Sequence, residues 1–141
     1  QFAQEVLNAH NVYRGRHSAP PLVLSTQLSE VATQWANHLL VKNRMEHRPN
    51  SDYGENIYWA SGGKLNGADV VKSWYNEIKQ YNWNRPSFQY NTGHFTQVIW
   101  KSSHKLGVGY AKKGNNIYVV CNYDPPGNLM KNFPSNVSPQ D

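Results

Sequence analysis

The chain of 141 residues contains a single cysteine, Cys121, so no disulfide can form within it. A fold stapled by disulfides is excluded, the core alone must hold the domain together, and one lone thiol fits a reducing compartment. Long apolar runs are missing too: none approaches the roughly 18 residues that a membrane-spanning helix needs. Acidic residues are scarce, nine against fourteen Lys and Arg, which leaves a formal charge of +5. Such a surface attracts anions, whether lipid headgroups, nucleic acid or acidic glycans. The basic residues are scattered, however, with Lys112-Lys113 the only adjacent pair. A dedicated nucleic-acid binder clusters its cations, so nucleic acid is not an expected partner. Because residue 1 is Gln and not Met, a processed chain is expected, and a signal peptide or lipid anchor could have preceded it.

Aromatic side chains are plentiful: five Trp, nine Tyr and four Phe offset a hydrophobic share of only 38%. Large rings bury much area per residue, so one compact domain spanning residues 1–141 is expected. Phe2, Val6, Ala9 and Tyr13 recur at helical spacing and predict a first helix ending near Gly15, before Pro20-Pro21. Leu28, Val31, Ala32, Trp35 and Leu39 predict a second, capped by Ser25 or Thr26. Between Arg48 and Gly67, Pro, Asn, Ser and Gly predict loops around one brief strand. A third helix is predicted from Asn66, with Val70, Trp74, Ile78 and Tyr81 on its apolar face. The dipole favours Asp69 at its start and Lys79 at its end.

After a turn-rich connector, three strands are predicted at 94–101, 105–112 and 116–123, the last two joined by the hairpin chemistry of "KKGNN". Four prolines in the last seventeen residues predict an extended tail strapped over the surface. Helices first and an antiparallel meander last make an α+β fold with helices packed on the sheet.

Four residues combine chemistry with position. His47 follows the second helix, Glu55 sits in "YGENIYWAS", Glu77 borders the third helix's apolar stripe, and His94 opens the most apolar segment. Two imidazoles and two carboxylates could bind a divalent metal or share protons around a cleft. No HExxH or other short ligand spacing is present, and an edge charge or a solvated loop histidine would look the same. His10, His17, His38 and His104 give a weaker signal.

"GHFTQVIWKSS" (93–103) and "YVVCNYDPPGNL" (118–129) resemble the two signature motifs of the CAP superfamily: the cysteine-rich secretory, antigen 5 and pathogenesis-related 1 proteins. "YGENIYWASG" (53–62) is similar to a third motif, and "HRP" (47–49) to the segment carrying the family's first histidine. "WYNEIKQYNW", "FPSNV" and the missing cysteines resemble its Golgi-associated plant pathogenesis-related branch. The resemblance implies an α-β-α sandwich with a central antiparallel sheet and a wide cleft lined by His47, Glu55, Glu77 and His94. His47 and His94 would hold zinc that folding does not require. It further implies binding of anionic phospholipid membranes, and of a sterol or fatty acid, with no catalytic residue; a homodimer stays open. Tyr81, Trp83 and Phe88 are spaced like the family's aromatic caveolin-binding pattern and are the expected partner or lipid contacts. The expected location is the cytoplasmic face of the Golgi or another membrane, with an extracellular one as the alternative. The competing function is a zinc-dependent hydrolase or protease using Glu55 or Glu77 as base.

Overall fold

Ser25 accepts a hydrogen bond from the Leu28 amide at 3.1 Å and starts the helix that the apolar stripe of residues 28–39 foretells. The computed structural model describes residues 1–141. In chain order the elements are α1 (Phe2–Arg16), β1 (Val23–Leu24), α2 (Thr26–Lys42), β2 (Gly54–Ser61) and α3 (Gly67–Tyr75). A 3-10 turn (Asn76–Gln80), α4 (Gly93–Val98), β3 (Lys105–Lys113), β4 (Asn116–Asp124) and α5 (Phe133–Asn136) complete the chain. The sheet order is β1-β3-β4-β2, antiparallel except where the two-residue β1 runs parallel to β3. The fold is therefore α+β around a mixed four-stranded sheet, and β2 forms one edge.

Alternation sorts the sheet into two faces. Gly107, Gly109 and Ala111 of β3 face α2, and a β-carbon at either glycine would overlap the helix backbone at Leu28 and Thr33. The glycines thus let α2 lie directly on the sheet. Ala32, Trp35, Ala36 and Leu39 pack there against Ile57, Ala111, Tyr118 and Val120. The main core lies on the other face, with 19 buried residues against 8. There Leu106, Val108, Ile117, Val119, Cys121 and Tyr123 meet side chains of α1, α3 and α4. Gly114 holds the first position of the two-residue β3–β4 turn at φ 60°, which a β-carbon would strain. Burial pushes the Cys121 thiol pKa up, so the lone thiol stays protonated and inert.

Four sequence expectations need correction. Residues 94–101 are no strand: Gly93–Val98 form a helix, and the sheet closes without them. Phe95, Val98, Ile99 and Trp100 are all fully buried, so the run lacks the alternation that tells strand from helix. The third helix stops at Tyr75 and tightens into the 3-10 turn, leaving Tyr81 extended. The tail carries a short helix rather than lying wholly on the surface. Its Phe133 ring packs edge-on against Trp100 at 4.9 Å, and Val137 is buried as well. β2, expected to be brief, pairs with β4 along all eight residues.

Candidate functional site

Neighbouring residues of a strand point to opposite faces, and at the β2 edge this rule divides the site in two. Glu55 shares the α2 face with Ile57, while Asn56 turns toward α4. On the α2 side, Asn43 ends the helix in the left-handed conformation, φ 56°. The loop beyond it is pinned by Trp35, whose indole donates to Glu46 O at 2.9 Å, and by the Arg48 guanidinium 5.9 Å above the same ring. His47 is thereby held over Glu55.

The two arms repeat one arrangement. His47 Nδ1 donates to Glu55 Oε1 at 2.6 Å, and the next amide, Arg48 N, donates to the same oxygen at 3.1 Å. His94 Nδ1 donates to Glu77 Oε2 at 2.8 Å, and the next amide, Phe95 N, donates to Glu77 Oε1 at 3.0 Å. A carboxylate can only accept, so each Nδ1 carries its proton and each Nε2 keeps its lone pair. The His94 ring also lies nearly parallel to Trp74, 11° apart with centroids at 6.0 Å. Asn56 Nδ2 donates to His94 O at 3.1 Å and to the Tyr123 hydroxyl at 3.2 Å, tying the α4 arm to the core.

Accessibility differs between the arms. The His47 side chain is 69% exposed over a Glu55 that is 6% exposed; His94 and Glu77 are at 32% and 22%. The Glu55 hydrogen bond raises the His47 pKa above its ordinary 6.5 and outweighs partial burial. All four residues line one cleft of about 560 Å³, together with Met45, Phe88 and Tyr90. That volume suits a small ligand.

The four residues singled out in the sequence thus come together. The aromatic trio does not. Tyr81 is only 6% exposed, edge-on to Phe95 at 5.7 Å, and Trp83 packs on the same ring at 6.2 Å. Tyr81 is a core residue and Trp83 is partly buried against that core, so packing already accounts for both. Phe88 remains, 44% exposed at the cleft. Sequence reasoning missed Tyr90, which is 96% exposed, and Asn128. Asn128 takes the Thr96 hydroxyl at 2.6 Å and donates to Gly93 O at 2.9 Å, clamping the first turn of α4. An Asn two residues past a Pro-Pro pair was the only signal for it.

The donors available to a metal are the two Nε2 atoms. No group of three or more His, Cys, Asp or Glu side chains is placed to share an ion. Both glutamates are engaged at Nδ1, the outer-sphere position that orients a ligating imidazole. Two imidazole donors would leave most of an ion's coordination to water, which is not the donor set of a closed structural centre.

Known proteins resemble the chain along most of its length. The model of the cysteine-rich secretory protein family, CAP, matches residues 7–123. The chain is 42% identical to the human Golgi-associated plant pathogenesis-related protein 1, over 99% of this chain and 94% of that protein. It is 39% identical to the secreted protein RBT4 of Candida albicans, over 95% of this chain and 37% of that one. The solved structure of BmVAL-1 superposes with a TM-score of 0.77 at 25% identity, covering 92% of this chain and 79% of that chain.

Proposed function

The chain belongs to the CAP family, and on that premise we propose that it is a non-enzymatic binding module for anionic lipid membranes. Its histidine cleft would take up a divalent ion, and a sterol or fatty acid is the small ligand that the cleft would suit. The observation that carries this reading is the commitment of both carboxylates. Glu55 Oε1 and the two oxygens of Glu77 each take an imidazole or a backbone amide, so both carboxylates are used to orient histidines, and Glu55 Oε2 is buried without a partner. A hydrolase with Glu55 or Glu77 as its base is disfavoured by that use, which leaves a histidine Nε2 as the base such a reading would need. The charge of +5 supports anionic lipid, since each basic residue near such a surface contributes about 1 kcal/mol. No helix is long and apolar enough to cross a membrane, so the proposed contact is with its surface. The cytoplasmic face of the Golgi or another membrane suits this reading, with an extracellular surface as the alternative; the relatives above include a Golgi-associated and a secreted protein.

Two measurements test it. Co-sedimentation with vesicles containing phosphatidylserine should be strong at low salt and weaken as screening shortens to about 8 Å at physiological ionic strength. Equal binding to neutral phosphatidylcholine vesicles would contradict the electrostatic part. For the ion, calorimetric titration should show zinc affinity rising with pH as His47 deprotonates. Because Glu55 raises that pKa, the rise should be centred above 6.5. A His47→Ala, His94→Ala variant should not bind. Unchanged affinity in that variant would remove the cleft from metal binding altogether. Neither imidazole belongs to either core, so the ion is not expected to add to folding.

A further inference from the structure

The exposed apolar side chains are unevenly distributed. Of ten large ones, half lie at the cleft: Met45 (49% exposed), Phe88 (44%), Tyr90 (96%), Leu129 (49%) and Met130 (75%). Met45, Phe88 and Tyr90 line the cleft, and Leu129-Met130 directly follow Asn128, which also lines it. They come from three loops, residues 43–53, 82–92 and 127–132, that meet around its mouth. Burial in a core explains none of them, since each loop has its own buried anchors. Trp35 pins the first from below, Tyr81 and Trp83 root the second, and Asn128 clamps the third to α4. The apolar tips are what these anchors leave outside.

Each loop also carries a cation beside its apolar tip. Arg44 precedes Met45, Arg85 lies three residues before Phe88, and Lys131 follows Met130. Arg48 adds a fourth against Glu46 and Asp52, so the three loops are net basic. Arg44 is partly satisfied by Glu46 at 3.3 Å, whereas Arg85 and Lys131 are exposed and form no ion pair. An apolar tip flanked by a long cationic side chain is the pattern of an interfacial anchor. The tip enters the acyl boundary while the cation stays among anionic headgroups. A protein partner would ask for a continuous dry patch; three separate tips around an open cleft suit a deformable surface better.

We propose that this rim is the face that docks on an anionic bilayer, so that the cleft opens toward the lipid. This rests on the membrane-binding reading above and adds an orientation to it. Tyr110 of β3, 46% exposed and edge-on to Phe2 at 5.1 Å, is not part of the cleft lining and would stay in solvent.

Site-specific labels test the orientation, and the buried Cys121 leaves a new surface cysteine as the only reactive thiol. Met130→Cys and Tyr110→Cys variants carrying a polarity-sensitive nitrobenzoxadiazole label are mixed with phosphatidylcholine–phosphatidylserine vesicles. The label at 130 should brighten severalfold and shift to the blue, while the label at 110 should not change. A Phe88→Ser, Tyr90→Ser, Met130→Ser variant, its fold checked by circular dichroism, should partition about tenfold or more weakly than the unmodified chain. Failure of the unmodified chain to bind any anionic vesicle would overturn the membrane reading itself. Normal binding with the label at 110 responding, or with the triple variant unaffected, would overturn only the orientation. A dimer in solution that the triple variant dissociates would assign the rim to a second copy and also overturn it.

Discussion

Replacing Arg14 by methionine is expected to lower the unfolding free energy by about 4 kcal/mol, near the top of the range for single substitutions. Arg14 is fully buried, and no carboxylate pairs with it. Its guanidinium instead donates to four carbonyls: Pro20 O at 2.7 Å, Val98 O at 3.0 Å, Trp100 O at 2.8 Å and Ser103 O at 3.1 Å. Burial lowers its pKa to about 10, which still leaves it charged at neutral pH. Methionine would fill much of the volume but leave those carbonyls without a donor, each at a cost of roughly 1–3 kcal/mol. Removing a buried charge offsets part of that sum. The carbonyls of Val98 and Trp100 end α4, so His94 at the other end of this short helix should lose its place over Glu77. Lysine, a point charge without the planar fork, should recover less than half of the loss. Urea unfolding of the three proteins decides the matter. A deficit below about 1 kcal/mol in the methionine variant would mean that water takes over the carbonyls.

Acid should destabilise the protein between about pH 6.5 and pH 4. His10 is fully buried: its Nδ1–H donates to Val6 O at 2.9 Å, and its Nε2 accepts from the Tyr123 hydroxyl at 2.6 Å. Desolvation by burial lowers its pKa from 6.5 to about 4. The unfolded chain therefore takes up a proton that the folded chain refuses. Stability is fully present above pH 6.5 and is lost as the pH falls toward 4, by about 3 kcal/mol for this shift. His17 is also buried, with Nδ1–H donating to Ser138 O and Nε2 accepting from Tyr75; burial lowers its pKa too, so it adds in the same direction. His47 works against them, because its raised pKa stabilises the fold at low pH and loses that contribution as pH rises. Its largely exposed ring makes that opposing effect small. Chemical unfolding from pH 7 to pH 4.5 should give a steep fall, flattened in a His10→Gln variant. Equal stability across that range would show that protonated His10 is tolerated inside.

These two predictions rest on residues for which the sequence offered little. Six histidines look alike in a list, and what separates His10 and His17 from His47 and His94 is burial, which depends on contacts over a hundred residues apart. His10 meets Tyr123 and His17 meets Ser138 only after α1 docks on the sheet. Arg14 is one of two arginines in the last turn of α1. Its four acceptors lie in two other segments, and no local pattern announces them. The segment 93–101 failed as a strand for the same reason. Burial on every side erases the alternation on which the reading depended, and Phe95, Val98 and Ile99 fit helical spacing equally well. The aromatic trio shows the limit again, because Tyr81, Trp83 and Phe88 share a loop but only Phe88 keeps exposed surface at the cleft.

Local physics was legible. The stripes of α1 and α2, the caps at Ser25 and Asn66 and the turn at Gly114 depend on neighbours within a few residues, so the chain determined them by itself. The family was legible as well, because long motifs record which residues accompany one another even where spacing does not explain why. His47, Glu55, Glu77 and His94 were identified that way. Only the tertiary structure decided that they form two separate imidazole–carboxylate arms. That division follows from β2 being an edge strand with Glu55 and Asn56 on opposite faces, and edge position depends on the pairing of the whole sheet.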